Sequence, residues 1–391
     1  MTDILCFSST DWDGVWGSRQ QVMLRFARRG YRVLFVERPI GLEHFWRYPA
    51  FRQRKLRRWR EGIRPVADSL WIVSLPLLLP GKYYSPFINR LNQRITLTAS
   101  RPCLRQLEFS EPILWLYNPE QSDLIGQFQE KLSVYHCIDE WTANTTGRKR
   151  RTIAALEEEL LHSVDLVFAN SPPTFENKRR HNPQTYRIPS GADVEHFAQS
   201  ASVTLAEHPA IAALPRPRIG YSGHVNERLD YAILEELAGQ RPDWTVVFVG
   251  DTYPWTMDTP ALQQLNALPN VHFLGKRPFA EMPALLKGMD VCLLPYVADE
   301  RGYFRSPLKL YEYLAAGKPV VSTPHPEAAE LAAVVYQAAS PAAFVQAVAQ
   351  ALSDDNGEMQ HQRQLVAQQH SWDRRVDEME QVMQVVMGAD G

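Results

Sequence analysis

The chain has 391 residues, enough for two domains, and its hydrophobic content of 45% is ordinary for a globular protein. No run of about 18 apolar residues occurs, which excludes a membrane-spanning helix; the best apolar candidate, LWIVSLPLLLP at 70–80, is broken by Pro76 and Pro80. The net charge of −2 hides an asymmetry: residues 1–190 hold 28 Lys/Arg and 19 Asp/Glu, residues 191–391 hold 14 and 25, so an anionic partner is expected on the basic first half.

Short apolar runs alternate with helix-like segments. DILCFSS (3–9) reads as a first strand, GSRQQVMLRFARRG (17–30) as a helix stopped by Gly30, and YRVLFVER (31–38) as the next strand. ILWLYN (113–118), KLSVYHCID (131–139) and VDLVFANS (164–171) follow as strands, with a helix, RTIAALEEELLHS (151–163), between the last two. After HPAIAALPRPR (208–218), a Pro- and Ala-rich stretch that reads as a linker, the pattern restarts. Strands are expected at 218–224, 244–251, 271–275, 290–296 and 318–323, with helices at 231–240, 281–289 and in SPLKLYEYLAAG; 342–352 and 370–388 read as closing helices. Repeated strand–helix–strand units predict parallel sheets covered by helices: an α/β chain of two Rossmann-like domains with a cleft between them. Domain boundaries are expected at 1–200, 201–370 and 371–391, the last a helix returning to the first domain.

Cys6, Cys103, Cys137 and Cys292 are scattered with no C-x-x-C pair, which predicts reduced thiols rather than a zinc or disulfide framework. MTDILCFSST lacks the basic start and cleavage site of a secretory signal, so a cytoplasmic protein is expected.

Ligands of such sheets bind off the carboxyl ends of strands. In SPLKLYEYLAAGKPVV (306–321), Ser306 suits an N-cap and Pro307 the first helical position. Lys309 precedes Glu312, the reverse of the order the helix dipole favours. Either the two form a weak surface ion pair, or Lys309 faces an anion held at the helix start. In YSGHVNERLDY (221–231), Gly223 ends a strand and Arg228 is a second base expected at a helix start. A diphosphate would suit both cations. Gly14 and Gly17, flanking Val15 and Trp16, form a G-x-x-G loop that suits either a tight turn or close approach of a phosphate or sugar.

The second half resembles the nucleotide-sugar-binding domain of GT-B fold glycosyltransferases, the retaining kind grouped as family 4. The likeness rests on YSGHVNERLDY, WTVVFVGD, VHFLGKRPFAEMPALLKGMDVCLLPY and SPLKLYEYLAAGKPVVST, in the family's order. ANSPPTFENKRRHNPQTYRIPSGADVEHF (169–197) is similar to the family's crossover, and the match is close over about the last 220 residues and loose over the first 160. The resemblance implies two domains facing each other across a cleft and transfer of a sugar, with retention, from a nucleotide-diphosphate sugar to a glycan or lipid-linked glycan in cell-surface polysaccharide synthesis. It implies that Gly223, His224, Arg228, Arg277, Ser306, Leu308, Lys309 and Glu312 hold the donor, with Gly14 and Gly17 reaching it from the first half. Glu312 would accept from the ribose hydroxyls, and Arg228 and Lys309 would stabilise the leaving diphosphate. The first acid of the family's E-x7-E pattern falls at Phe304 here. No metal and no other cofactor is implied, and no D-x-D motif that would hold a metal is read.

In YHCIDEW (135–141), His136, Asp139 and Glu140 are the acid–base groups at a strand end and the acceptor-side candidates; Asp139, just past the strand, is the first choice, while His136 also reads as a core residue. FRQRKLRRWR (51–60) reads either as a solvated charged helix or, with LPLLLPGKYYSPF (75–87), as a contact with the anionic inner face of the plasma membrane. No nucleic-acid module accompanies it. A nucleotide-sugar epimerase of the same fold, or a non-catalytic protein that binds nucleotide or membrane, are the other readings; the basic, aromatic-rich first half favours a transferase.

Overall fold

The computed structural model describes the chain except residues 15, 40–48, 76, 253–258 and 390–391. The chain divides into two compact units, Met1–Pro189 with Arg375–Gly391, and Ser190–Arg374.

The first unit holds β1 (Asp3–Phe7), β2 (Arg32–Glu37), β3 (Arg64–Ala67), β4 (Leu70–Ser74), β5 (Ile113–Leu116), β6 (Leu132–Cys137), β7 (Leu166–Ala169) and β8 (Thr185–Arg187). Among the described residues they form one sheet in the order β3-β4-β2-β1-β5-β6-β7-β8, parallel but for the β3–β4 edge. β1, β5, β6 and β7 are buried along their whole length. They therefore read in sequence as unbroken apolar runs, as strands covered on both faces must. Helices α1 (Ser18–Arg28), α2 (Pro49–Glu61), α3 (Pro86–Gln106), α4 (Gly147–Ser163) and α5 (Pro172–Lys178) accompany the sheet. α4 opens four residues earlier than its apolar pattern, at Gly147.

The second unit holds β9 (Arg218–Ser222), β10 (Thr245–Val249), β11 (Val271–Phe273), β12 (Val291–Leu294), β13 (Val320–Ser322) and β14 (Val335–Gln337), all parallel, in the order β11-β10-β9-β12-β13-β14. Alternate residues of β10 serve opposite faces: Val246 and Phe248 pack into one apolar cluster, Val247 and Val249 into the other. Among its helices are α6 (Tyr231–Gln240), α7 (Leu308–Ala315), α8 (Pro341–Asp354) and α9 (Gly357–Gln369).

In each sheet the chain winds outward one way and then restarts on the other side of its first strand. The reversal lies between β1 and β5 in the first unit and between β9 and β12 in the second. The carboxyl end of that gap is where a doubly wound sheet leaves room for a ligand.

Residues 208–218 are not a linker. They lie within the second unit, where Pro209–Ala212 is helical and Ile211 is fully buried. Arg218 ties the stretch down by donating to the carbonyls of Ala212, Leu214 and Gly288. The last helix, α10 (Trp372–Ala389), begins in the second unit and counts with the first from Arg375 onward. There Asp377 pairs with Arg29, the residue after α1, at 2.7 Å, and Glu380 pairs with the same guanidinium.

Candidate functional site

In the second unit three neighbouring strands each run into a glycine with positive φ: Gly223 (+145°), Gly250 (+156°) and Gly275 (+69°). Two of them permit close approach. A Cβ on Gly250 would lie 1.9 Å from the Gly223 carbonyl oxygen, so only glycine lets these two loops touch. A Cβ on Gly223 would lie 2.2 Å from Cε and 3.0 Å from Nζ of Lys309, and 2.9 Å from the Tyr221 hydroxyl. The lysine stem thus lies along the bare Gly223 backbone, at the gap between β9 and β12.

Lys309 is in the first turn of α7, whose N-cap Pro307 supplies no side-chain cap. The first amides of a helix have no intrahelical acceptor. Lys309 and Glu312 do not form an ion pair, and neither side chain has a hydrogen-bond partner among the described residues. The weak surface pair therefore does not explain the sequence order. Burial raises the half-buried Glu312 carboxyl above its ordinary value, against the pull of Lys309 and His196.

Two expectations about helix starts are corrected. Ser306 is not the cap of α7: its hydroxyl donates to Glu327 at 2.8 Å and accepts the Ser190 amide at 2.9 Å. Its side chain is committed to the unit's interior. Arg228 is not on a helix either. α6 begins at Tyr231 and is capped by Asp230, whose carboxylate accepts the Ile233 amide at 3.2 Å. Arg228 sits in the preceding turn, its amide held by Asn226 and its carbonyl by Val297. Its Nε is buried with no hydrogen-bond partner among the described residues, and its charge opposes the burial that raises the Tyr221 hydroxyl. Of the two cations, only Lys309 is at a helix start.

The other expected donor residues divide. His224 follows Gly223, and burial lowers its imidazole, with Lys309 and Lys276 acting the same way and Asp251 opposing them. Leu308 opens α7. Arg277 turns its Nε onto the Leu274 carbonyl at 3.1 Å. Phe279 stacks on His196 with ring centroids 4.2 Å apart. Phe304 ends a short helix (Glu300–Tyr303) capped by Asp299. Gly14 and Gly17 belong to the first unit; the Gly17 amide is taken by Gln20 at 3.2 Å, and residue 15 lies outside the described residues.

Two acceptor-side candidates are buried in the first unit. Glu140 is buried and pairs with Lys178 at 2.9 Å; the same ammonium meets Glu157 at 2.8 Å, and Tyr135 donates to Glu157. Burial works to raise both carboxyls. Lys178 and the Thr142 hydroxyl nonetheless hold Glu140 below the ordinary range, while Glu157 stays above it. His136 is buried among Trp115, Tyr117 and Phe168. Burial lowers its imidazole to about 3, and the charge of Arg19 adds to the effect. Asp139 remains half exposed and pairs with Arg19 at 3.0 Å; Arg19, at the start of α1, is a residue the sequence reading missed.

The neutral His136 predicts an acid-side loss of stability. Its ring takes a proton near 6.5 when unfolded and only near 3 when folded, so between those values the unfolded chain holds more protons. Stability contributed by this group is full above 6.5 and falls as pH drops, by up to about 1.4 kcal/mol per unit. Urea midpoints followed from about pH 8 to about pH 5 should show that slope, and His136→Phe should flatten it. A slope unchanged in the variant would remove His136 as its source.

The basic run is a helix whose cations divide between buried and exposed positions. On α2, Lys55 and Arg58 are buried. Lys55 pairs with Asp11, and Arg58 pairs with Asp13 and, at 3.1 Å, with the fully buried Glu37 at the end of β2. Arg54, Arg57, Trp59 and Arg60 are exposed, and the side chains of 51 and 52 lie outside the described residues. Asp11-Trp12-Asp13 has D-x-D spacing. Its carboxylates are taken by Lys55 and Arg58, and among the described residues no group of three or more His, Cys, Asp or Glu is placed to hold a metal. Among the described residues no helix is long and apolar enough to cross a membrane.

A cavity of about 410 Å³ lies wholly within the first unit. It opens at the carboxyl ends of β1, β2 and β5, at that sheet's own reversal, and Tyr83, Gln93, Trp141 and Lys149 are among its walls. None of the three acceptor-side candidates lines it.

Two reversal sites in two doubly wound sheets define a class that comparison with known proteins makes explicit. Residues 216–354 match the family model of glycosyl transferases group 1. TuaH of Bacillus subtilis (strain 168), named as a teichuronic acid biosynthesis glycosyltransferase, is 26% identical over 337 residues, covering 81% of this chain and 80% of the relative. Sucrose-phosphate synthase from Thermosynechococcus elongatus superposes with a TM-score of 0.75 at 17% identity, over 100% of both chains. Anabaena Alr3699/HepE, solved in complex with UDP and glucose, gives 0.67 at 15% identity over 98% of this chain and 100% of its own. The fold is GT-B. The chain is a glycosyltransferase.

Proposed function

We propose that this glycosyltransferase moves a sugar from a nucleotide-diphosphate donor to a glycan or lipid-linked glycan, with retention, in the synthesis of a cell-surface polysaccharide. The likeness to TuaH supports the polysaccharide setting. The donor reading is carried by one observation: Lys309, in the first turn of α7 and against the bare Gly223 backbone, has no acid partner among the described residues. In this reading the diphosphate occupies the start of α7 between Lys309 and Arg228, and the charge that builds on the leaving phosphate is met by those cations without a metal ion. Glu312, one turn along the same helix, accepts from the ribose hydroxyls.

Calorimetric titration with UDP, GDP and inorganic pyrophosphate tests it. At least one nucleoside diphosphate should bind saturably. Glu312→Gln should weaken that nucleotide by about tenfold or more while leaving pyrophosphate unchanged, because only the nucleotide carries a ribose. Failure of both nucleotides to bind would overturn the donor reading, and equal losses for nucleotide and pyrophosphate would overturn the role of Glu312.

A further inference from the structure

α4 opens on Gly147-Arg148-Lys149-Arg150-Arg151, with no acid in its first turn and no side-chain cap. A cation here opposes the helix dipole, as Lys309 does in α7. Lys149 is half-buried in the cavity wall, and no carboxylate lies within ion-pair distance of it among the described residues. Its ammonium is 5.9 Å from the Tyr83 ring centroid.

The carboxylates of the cavity are paired, and exposed Arg38 adds a second cation to its lining. Glu37 is paired with Arg58. Glu120 is paired with Lys82 and accepts the Tyr83 hydroxyl at 3.0 Å. The unbalanced charge facing the cavity is therefore positive.

Its remaining polar groups ask for hydroxyls. Ser9, Gln93 and Trp141 line the cavity, and Ser9 Oγ, Gln93 Oε1 and Trp141 Nε1 are buried with no hydrogen-bond partner among the described residues. Ser9 and Gln93 are 8% and 5% exposed, so bulk solvent barely reaches them. One is an acceptor, one a donor and one either, and a sugar hydroxyl can serve all three. Tyr83, Tyr84 and Trp141 add flat apolar faces to the walls. The volume is within the range of small-molecule sites, roughly 300–1,000 Å³.

Resting on the transferase reading above, we infer that this cavity is the acceptor site and that it selects an acidic sugar. The ring lies against Tyr83 and Trp141, its hydroxyls meet Ser9, Gln93 and Trp141, and its carboxylate or phosphate meets Lys149. The shared requirement is one anionic group on a pyranose.

Saturation-transfer NMR on the full chain, titrated with glucose, glucuronate and glucose 6-phosphate, tests this. At least one anionic sugar should bind about tenfold tighter than glucose, the gain of a charge-assisted contact. The ranking of glucuronate and glucose 6-phosphate says which acid is preferred. Lys149→Gln should erase the gap, and raising the salt should narrow it. Trp141→Phe, which keeps the ring face and removes the donor, should weaken whichever sugars bind by a similar factor. Nucleoside diphosphate affinity should be unchanged in both variants. A sugar preference that survives Lys149→Gln, glucose binding as tightly as both acids, or no sugar binding while nucleotide still binds would each overturn the inference and leave the donor reading standing.

Discussion

Lys309→Ala should lower the affinity for a nucleoside diphosphate by roughly 30- to 100-fold, the loss of about 2–3 kcal/mol of charge-assisted hydrogen bonding. The same variant should leave the melting temperature of the unliganded protein unchanged or slightly raised. Lys309 has no hydrogen bond or ion pair to lose among the described residues. It is also a cation in the first turn of a helix, where the dipole disfavours it by a few tenths of a kcal/mol. A structural lysine would behave in the opposite way, costing stability and sparing affinity. Calorimetry and thermal unfolding of one variant therefore separate the two roles. Unaltered nucleotide affinity would remove Lys309 from the site and with it the main support for the donor assignment.

Glu37→Ala should be the most damaging single change in the first unit, at about 3–5 kcal/mol, because it strands buried charge. Glu37 is fully buried, and its carboxylate accepts from Arg58 and the Trp12 amide, each at 3.1 Å, and from the Ser74 hydroxyl. Lys55 is 3.7 Å away; burial pulls its ammonium down, against the support of Asp11 and Glu37. Without Glu37, Arg58 keeps only the exposed Asp13 among the described residues, and the hold on α2 weakens. Arg57→Ala, on the solvent side of the same helix, should shift stability by no more than about 0.5 kcal/mol. Urea denaturation of the pair reads the contrast, and equal small effects would show that the carboxylate does not anchor α2.

The contrast between Arg57 and Arg58 marks a limit of sequence reading. Both lie in one basic run, and nothing local separates them. Arg58 is buried because Glu37 is 21 positions back on a neighbouring strand, and Lys55 because Asp11 is 44 positions back. α3 was missed for a related reason. Its buried face carries Asn89, Asn92, Gln93, Thr96 and Ser100, so no apolar period announces a 21-residue helix. Two of those side chains have tertiary partners: Asn92 brackets the Leu79 backbone, and Asn89 donates to the Glu120 carbonyl. Gln93 lines the cavity, and its side-chain oxygen is buried with no partner among the described residues.

Apolar runs and glycine stops along the chain sufficed for the two parallel sheets, because strands covered on both faces must be apolar and glycine alone takes the turns at Gly223 and Gly250. The base-before-acid order of Lys309 and Glu312 was likewise legible, since the helix dipole gives that order a sign. Only the tertiary structure decided that Ser306, Glu140 and His136 belong to the interior, that Arg228 sits in a turn, and that Lys149 faces a cavity. Whether a polar side chain is spent on its own fold or left for a ligand depends on what lies across from it, and that is set by contacts between distant segments.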